Sequence, residues 1–121
     1  MSHEFRIDCE SGLLKEAYSG LLTLKILTDS NAAIIAHPDF TKGFNFLTDL
    51  RNAQIPFGYN VMSAHVQTLP RLHISKQAFI VTGAAEYGMI RMFIALTEDN
   101  DIYDEAWIFT SIEEGTKWLN L

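Results

Sequence analysis

The stretch that most constrains the fold runs from Gln77 to Phe93 and reads QAFIVTGAAEYGMIRMF. It opens with a short, continuous apolar run, passes through a turn of small residues around Gly83, and then takes on helical spacing. The apolar stripe of this helix is formed by Met89, Met92, Phe93 and Leu96. An apolar run of strand length followed directly by a helix is typical of an inner strand in an α/β layer fold.

The rest of the chain predicts four further strands and three further helices, in the order β-β-α-β-α-β-α-β-α. The strands are predicted at 3–9, 13–19, 44–50, 78–81 and 103–110, and the helices at 24–36, 59–69, after the turn at 82–85 as far as 96, and from 112 onward. Strands three, four and five are each reached through a helix, so they should run parallel. The sequence therefore predicts a single domain over residues 1–121, with a five-stranded mixed sheet made of an N-terminal antiparallel hairpin and parallel β-α units.

Two expectations concern which side chains are buried. Cys9 continues the apolar alternation of the first strand, which predicts a buried, structural thiol. For the first helix, Thr23 is the expected N-cap, and the apolar residues should share one inner face while the polar ones turn outward. The inner set is Leu24, Leu27, Ile34 and Ile35, and the outer set is Lys25, Asp29 and Ser30.

Charge and hydropathy exclude several classes of protein. The chain has 121 residues with 9 Lys and Arg against 15 Asp and Glu, which gives a formal net charge of −6. This acidity, without a basic run, argues against nucleic acid or anionic lipid as a partner. No apolar run approaches the ~20 residues that span a bilayer, and the charged N-terminus is unlike a signal peptide. With one cysteine and no possible intramolecular disulfide, these features predict a cytoplasmic protein.

Several short motifs, in their order and spacing, resemble the SpoIIAA-like proteins of the STAS/SEC14 superfamily. They are GLLT at 20–23, HPDF at 37–40, FLTDLR at 46–51, YGMIRMF at 87–93 and IFTSIEEGTKWL at 108–119. The resemblance spans nearly the whole chain and implies a small mixed α/β domain, but it implies little about function. Anti-sigma-factor antagonists of this fold carry a phosphorylatable serine in a D-S-x-G stretch. The corresponding region, 48–61, contains no serine, and Ser63 does not match the motif, so the sequence does not support serine-controlled partner switching.

Ligands of open α/β sheets bind outside the carboxyl ends of the parallel strands. That rule nominates Asp49 and Arg51 after the third strand and Gly83 after the fourth, with Tyr87 and Arg91 on the following helix. A small anion could be held there by arginine side chains and by backbone N–H groups at the helix start. The alternative is purely structural, with a tight turn at Gly83, a surface pair at Asp49 and Arg51, and Tyr87 covering the edge of the core.

Catalytic and metal-binding signatures are not found in the sequence. His3, His37, His65 and His73 do not have the spacing of a metal site, and G-x-S-x-G, P-loop and G-x-G-x-x-G motifs are missing. Paired carboxylates occur only in runs expected to be solvated. We therefore expect a protein that is not an enzyme and that needs neither metal nor cofactor.

Three functional hypotheses follow. The first is a binding or regulatory module that acts through protein contacts or through a small ligand at the strand ends. The second is a carrier of lipid or another apolar molecule, which needs an apolar cavity and could place it beneath the 53–58 loop. The third and weakest is an enzyme that uses Asp49 and Tyr87 in a cleft. A homodimer is also plausible, because an exposed edge strand invites self-pairing and several aromatic residues are hard to place wholly inside. These residues are Tyr18, Tyr59, Tyr103 and Trp107.

Overall fold

The structure is a computed structural model that describes residues 2–56, 58–70, 72–98 and 101–121. The strands are β1 Ser2–Asp8, β2 Leu13–Leu21, β3 Asn45–Gln54, β4 Ile74–Ile80 and β5 Tyr103–Phe109. The helices are α1 Leu24–Ala36, α2 Tyr59–Thr68, α3 Ala84–Thr97 and α4 Ile112–Leu119. The predicted element order is confirmed, and β3 and β4 are both longer than the sequence patterns indicated. None of the described helices combines the length and hydropathy needed to cross a membrane.

The five strands form one sheet in which neighbours in space are also neighbours along the chain, in the order β1-β2-β3-β4-β5. β1 pairs with β2 in antiparallel fashion, and every other pair is parallel. The predicted mixed sheet, an antiparallel hairpin followed by parallel β-α units, is thus confirmed.

Helices α1, α2 and α3 lie on one face of the sheet and α4 lies on the other. Right-handed crossovers that add each new strand on the same side place all the connecting helices on one face. The larger core forms under α1, α2 and α3, where Leu50 and Phe79 of the sheet pack with Met62 and Ile90 of the helices. Because α4 follows the last strand rather than connecting two strands, it is free to cover the opposite face.

The packing of α4 depends on the glycine at its centre. A Cβ atom added at Gly115 would lie 2.7 Å from Ile80 Cδ1 and 3.3 Å from Leu47 Cδ1, which is too close for ordinary contact. Leu119 is buried with these sheet residues in a small separate core. The helix can approach the sheet this closely only because residue 115 has no side chain.

The N-cap predicted at Thr23 is present, and α4 also begins with a side-chain N-cap, Ser111. The Thr23 side chain accepts a hydrogen bond from the Ile26 N–H, 3.2 Å away, at the start of α1. At the start of α4 the Ser111 hydroxyl accepts from the Glu114 N–H at 3.2 Å and contacts the Glu114 carboxylate at 3.1 Å. These bonds satisfy backbone donors that a helix leaves unpaired in its first turn.

Two predictions about burial are wrong. Cys9 is exposed, because β1 ends at Asp8 and the thiol lies in the turn that follows, 3.7 Å from the Asp39 carbonyl oxygen. Ser30 is buried rather than solvated, and its hydroxyl donates to the Ile26 carbonyl oxygen at 2.7 Å. A serine that bonds to its own helix backbone in this way can face a core without an unsatisfied polar group.

The burial of Ser30 reflects a helix rotated from its predicted orientation. The inner face of α1 consists of Ile26, Leu27, Ser30 and Ile34. Leu24 and Ile35, which were predicted to lie on that face, are 36% and 49% exposed.

Candidate ligand-binding site

Three polar side chains from three neighbouring strands form a row on the sheet face that α1, α2 and α3 cover. They are Glu16 of β2, Thr48 of β3 and Gln77 of β4, all buried, and we call them the polar row. Thr48 Oγ1 donates to Glu16 Oε2 at 2.8 Å, and Gln77 Nε2 donates to Thr48 Oγ1 at 3.1 Å. The Thr48 hydroxyl is therefore engaged both as donor and as acceptor, which fixes the orientation of its two neighbours.

The polar row continues to the edge strand through His3. His3 Nε2 lies 2.8 Å from Glu16 Oε1, and both side chains are almost completely buried. A carboxylate removed from water is costly unless it is paired and hydrogen-bonded, and here it has partners on both oxygens. Among the described residues, no group of three or more histidine, cysteine and acidic side chains is placed to hold a metal ion. Hydrogen bonds hold the side chains of the polar row together.

Tyr18 lies two residues beyond Glu16 on β2, and its ring packs on the His3 ring with centroids 4.4 Å apart. Burial, reinforced by the nearby charge of Glu16, raises the pKa of Tyr18 well above its usual value of 10. The phenol therefore keeps its proton at any physiological pH and can donate a hydrogen bond.

A cavity of about 100 Å³ lies between the polar row and the three helices, and we call it the sheet–helix cavity. Its polar lining consists of Glu16, Tyr18, Asn31, Thr48, His65 and Gln77. Its apolar lining consists of Leu22, Leu27, Leu50, Ile55, Met62, Leu69, Phe79, Ile90 and Phe93. Burial lowers the pKa of His65 below 6.5, so its ring is neutral near pH 7. The cavity therefore has a polar floor on the sheet and mostly apolar walls on the helices.

The residues nominated from the strand ends lie elsewhere. Asp49 and Arg51 are paired on the α4 side of β3, with Arg51 Nη2 2.9 Å from Asp49 Oδ2. The hydrogen bonds from Arg51 lower the pKa of the Asp49 carboxyl. Asp49 also lines an open depression beside α4, together with Arg6 and Lys15. The arginine predicted to hold an anion thus already has an acidic partner.

Gly83 and Tyr87 are brought together at the start of α3, where the Tyr87 N–H donates to the Gly83 carbonyl oxygen at 2.9 Å. They share a shallow depression of about 290 Å³ that does not include Asp49. The Glu86 carboxylate lies against Gly83, in the space where a Cβ atom would stand. Arg91 is exposed one turn further along α3. An anion-binding role for these residues remains a prediction, and the helix start already has an acidic neighbour.

The polar row was not predicted from the sequence, although part of the signal is there. The carrier hypothesis did place an apolar cavity beneath the 53–58 loop, and Ile55 lines the sheet–helix cavity. Along β2, Leu14, Glu16 and Tyr18 alternate with outward residues, so the period of two places Glu16 on the inner face. Thr48 occupies the same kind of position between Phe46 and Leu50. A charged residue at an inward position of a strand is the informative pattern, because buried charges require partners.

Together these features define a mixed α/β protein with a SpoIIAA-like fold and a cavity between sheet and helices. A solved structure from Shewanella loihica PV-4, that of an uncharacterised protein of the DUF3478 family with a SpoIIAA-like fold, matches this chain with a TM-score of 0.61. The match covers 98% of this chain and 92% of that one at 14% identity. The chain matches no protein-family model and no curated protein sequence. The SpoIIAA-like fold implied by the resemblance is thereby confirmed.

Proposed function

We propose that this protein is a non-enzymatic binding domain that takes one small, mainly apolar molecule with a hydrogen-bonding group at one end. The observation that supports this most directly is the sheet–helix cavity, whose apolar walls face a floor of hydrogen-bonding side chains. Ligand sites in proteins commonly combine such walls with a few fixed polar groups.

The volume of the cavity limits the size of the ligand. A cavity of roughly 150 Å³ admits benzene, whereas drug-sized ligands occupy roughly 300–1,000 Å³. The sheet–helix cavity has about 100 Å³ and is partly open to solvent, so it suits a short chain or a single ring that is not wholly enclosed. A two-chain lipid exceeds this volume several-fold, so the size favours a small ligand over the lipid-carrier hypothesis.

The polar floor limits the chemistry of the ligand. One Glu16 carboxylate oxygen is paired with His3 and the other with Thr48, and each has a second lone pair that can accept another hydrogen bond. The neutral phenol of Tyr18 also lines the cavity. A hydroxyl or amide at the polar end of the ligand matches this floor, since its proton can be donated to a Glu16 oxygen.

A regulatory role, which the first functional hypothesis included, is compatible with this proposal. Ile55, from the connection between β3 and α2, lines the cavity together with Met62 of α2. A bound ligand would therefore contact a connection that is exposed on either side of Ile55, at Gln54 and Pro56. Occupancy of the cavity could in this way be read by a protein partner.

The proposal is tested by titrating the protein with phenol and with toluene and following the binding by nuclear magnetic resonance. Phenol should bind with chemical-shift changes confined to residues that line the cavity. Toluene, which has similar size but no hydroxyl, should bind about fivefold more weakly, because one hydrogen bond contributes roughly 1 kcal/mol. Equal affinity for the two probes would contradict the assigned role of the polar floor.

Two matched variants on α1 locate the site. Leu27→Trp should fill the cavity and weaken phenol binding at least tenfold. Leu24→Trp makes the same change at a position that is 36% exposed and should leave binding unchanged. Unaltered binding in folded Leu27→Trp would overturn the proposal. Native mass spectrometry of protein purified from its own cells then separates the hypotheses, because a stoichiometric lipid-sized adduct would instead establish the carrier.

A further inference from the structure

Strand β5 forms an outer edge of the sheet. It pairs with β4 from Ile74 opposite Tyr103 to Ile80 opposite Phe109, and no other described strand lies beside it. An edge strand presents backbone N–H and C=O groups that can pair with another extended chain. This edge therefore has the backbone chemistry needed to accept an additional strand.

An open groove of about 450 Å³ runs along this edge and combines aromatic rings with acidic side chains. Its aromatic members are Tyr103, Trp107 and Trp118, and Trp107 is 49% exposed. Its charged members are all acidic, Glu98, Asp104 and Glu105, and the Trp118 ring already has a cation over it, Lys76 Nζ at 5.2 Å from the ring centroid. An exposed indole in an acidic setting favours a cation, through both charge and the negative face of the ring.

The opposite edge of the sheet, at β1, carries charged side chains that protect it from pairing with another strand. The exposed residues of β1 carry both signs of charge in alternation, with Glu4 and Asp8 on either side of Arg6. Alternating charges of this kind discourage pairing with another strand. The edge at β5 has charge of a single sign and an exposed tryptophan, and it is therefore selective for its partner.

We propose that the β5 edge binds an extended basic segment of a partner protein, which adds to the sheet as a sixth strand. Backbone pairing supplies affinity in this mode of recognition, and alternate side chains supply specificity. Glu105 and Trp107 are two residues apart and share one face of β5, so lysine or arginine residues at alternate positions of the partner would face Glu105 and stack on Trp107. Asp104 would attract basic residues on the other face. A second copy of this chain is disfavoured, because pairing two β5 edges brings two sets of carboxylates together.

The test uses a fluorescently labelled peptide of alternating lysine and valine, with a peptide of alternating glutamate and valine as its control. Fluorescence anisotropy at low ionic strength should show binding of the basic peptide only. Hydrogen exchange of the full-length protein should show new protection of β5 amides upon binding. Binding without such protection, or binding of the acidic peptide with equal affinity, would overturn the proposal.

Two double variants test whether the basic peptide binds at the β5 edge or is attracted to the acidic protein as a whole. Asp104→Lys combined with Glu105→Lys should weaken binding of the basic peptide at least tenfold. Glu4→Lys combined with Asp8→Lys makes the same change in net charge at the opposite edge and should weaken binding less than threefold. Equal effects of the two pairs would overturn the assignment. Light scattering should show a monomer for every variant. A dimer that only the β5 substitutions dissociate would show that the edge binds a second copy of the chain and not a basic segment.

Discussion

His3 Nε2 lies 2.8 Å from a carboxylate oxygen of Glu16, and this contact joins the edge strand β1 to the inner strand β2 within the buried side of the sheet. The same carboxylate accepts from Thr48 on β3. One side chain thus connects three strands through charge and hydrogen bonds.

Replacement of Glu16 by alanine should destabilise the protein by on the order of 3 kcal/mol, because it leaves His3 and Thr48 buried without their shared partner. Urea unfolding at pH 7 measures this change. Glu4→Ala, an exposed change on the same hairpin, should stay within about 0.5 kcal/mol of the wild type. Similar losses in the two variants would show that Glu16 contributes no more than a surface residue.

Two glycine-to-alanine variants should shift stability in opposite directions. Gly115→Ala should destabilise the protein by about 1–3 kcal/mol, since the new methyl group collides with Ile80 and the gain in helix propensity is smaller. Gly88→Ala on α3 has nothing within 4 Å of the added carbon and should stabilise the protein by about 0.5–1 kcal/mol. Thermal unfolding compares the two, and a stabilised Gly115→Ala would contradict the close approach of α4.

The Asp49 and Arg51 pair should contribute a small, acid-sensitive increment of stability. Because hydrogen bonds from Arg51 lower the folded-state pKa of Asp49 below 3.8, the contribution is complete above that unfolded value and disappears as the pH falls through the folded-state pKa. The pair is partly exposed, so Asp49→Asn should cost at most about 1 kcal/mol at pH 7.

This pH dependence is measured by urea unfolding of wild type and Asp49→Asn at neutral pH and at a pH below the folded-state value. The difference between the two proteins should vanish at the lower pH. A difference that persists there would mean that Asp49 acts through packing and not through its charge.

The thiol of Cys9 should be reactive in the folded protein, because the side chain is exposed in the turn after β1. A thiol-specific reagent should label it in buffer within a factor of about three of its rate in denaturant, as expected for an accessible cysteine. A labelling rate that is a hundredfold or more slower in the folded protein would instead support the buried thiol that the strand pattern predicted.

Much of the fold could be predicted because its elements have clear local signals. The N-cap residues Thr23 and Ser111 mark helix starts, and the apolar run before Gly83 marks an inner strand. The rotation of α1 could not be predicted, because Ser30 looks like a surface residue until its bond to the Ile26 carbonyl is known.

The candidate site was harder to predict, since it depends on the alignment of strands that are far apart in the sequence. Glu16 lies opposite Thr48 only because β2 and β3 pair in one particular register. Gln77 reaches Thr48 from a third strand. Alternation along one strand indicates that a residue faces inward, but it does not say which residues of the neighbouring strands it will meet.

The strictly sequential order of the strands has a consequence for how the chain acquires its structure. Every strand after the first pairs with one that has already left the ribosome, so the sheet can grow at a single open edge without having to admit a strand between two others. Assembly can therefore follow synthesis from the N-terminus, and the last edge to be completed is that of β5. Hydrogen exchange on ribosome-bound chains of increasing length should show protection that advances one strand at a time, and simultaneous protection of all five strands would refute this order.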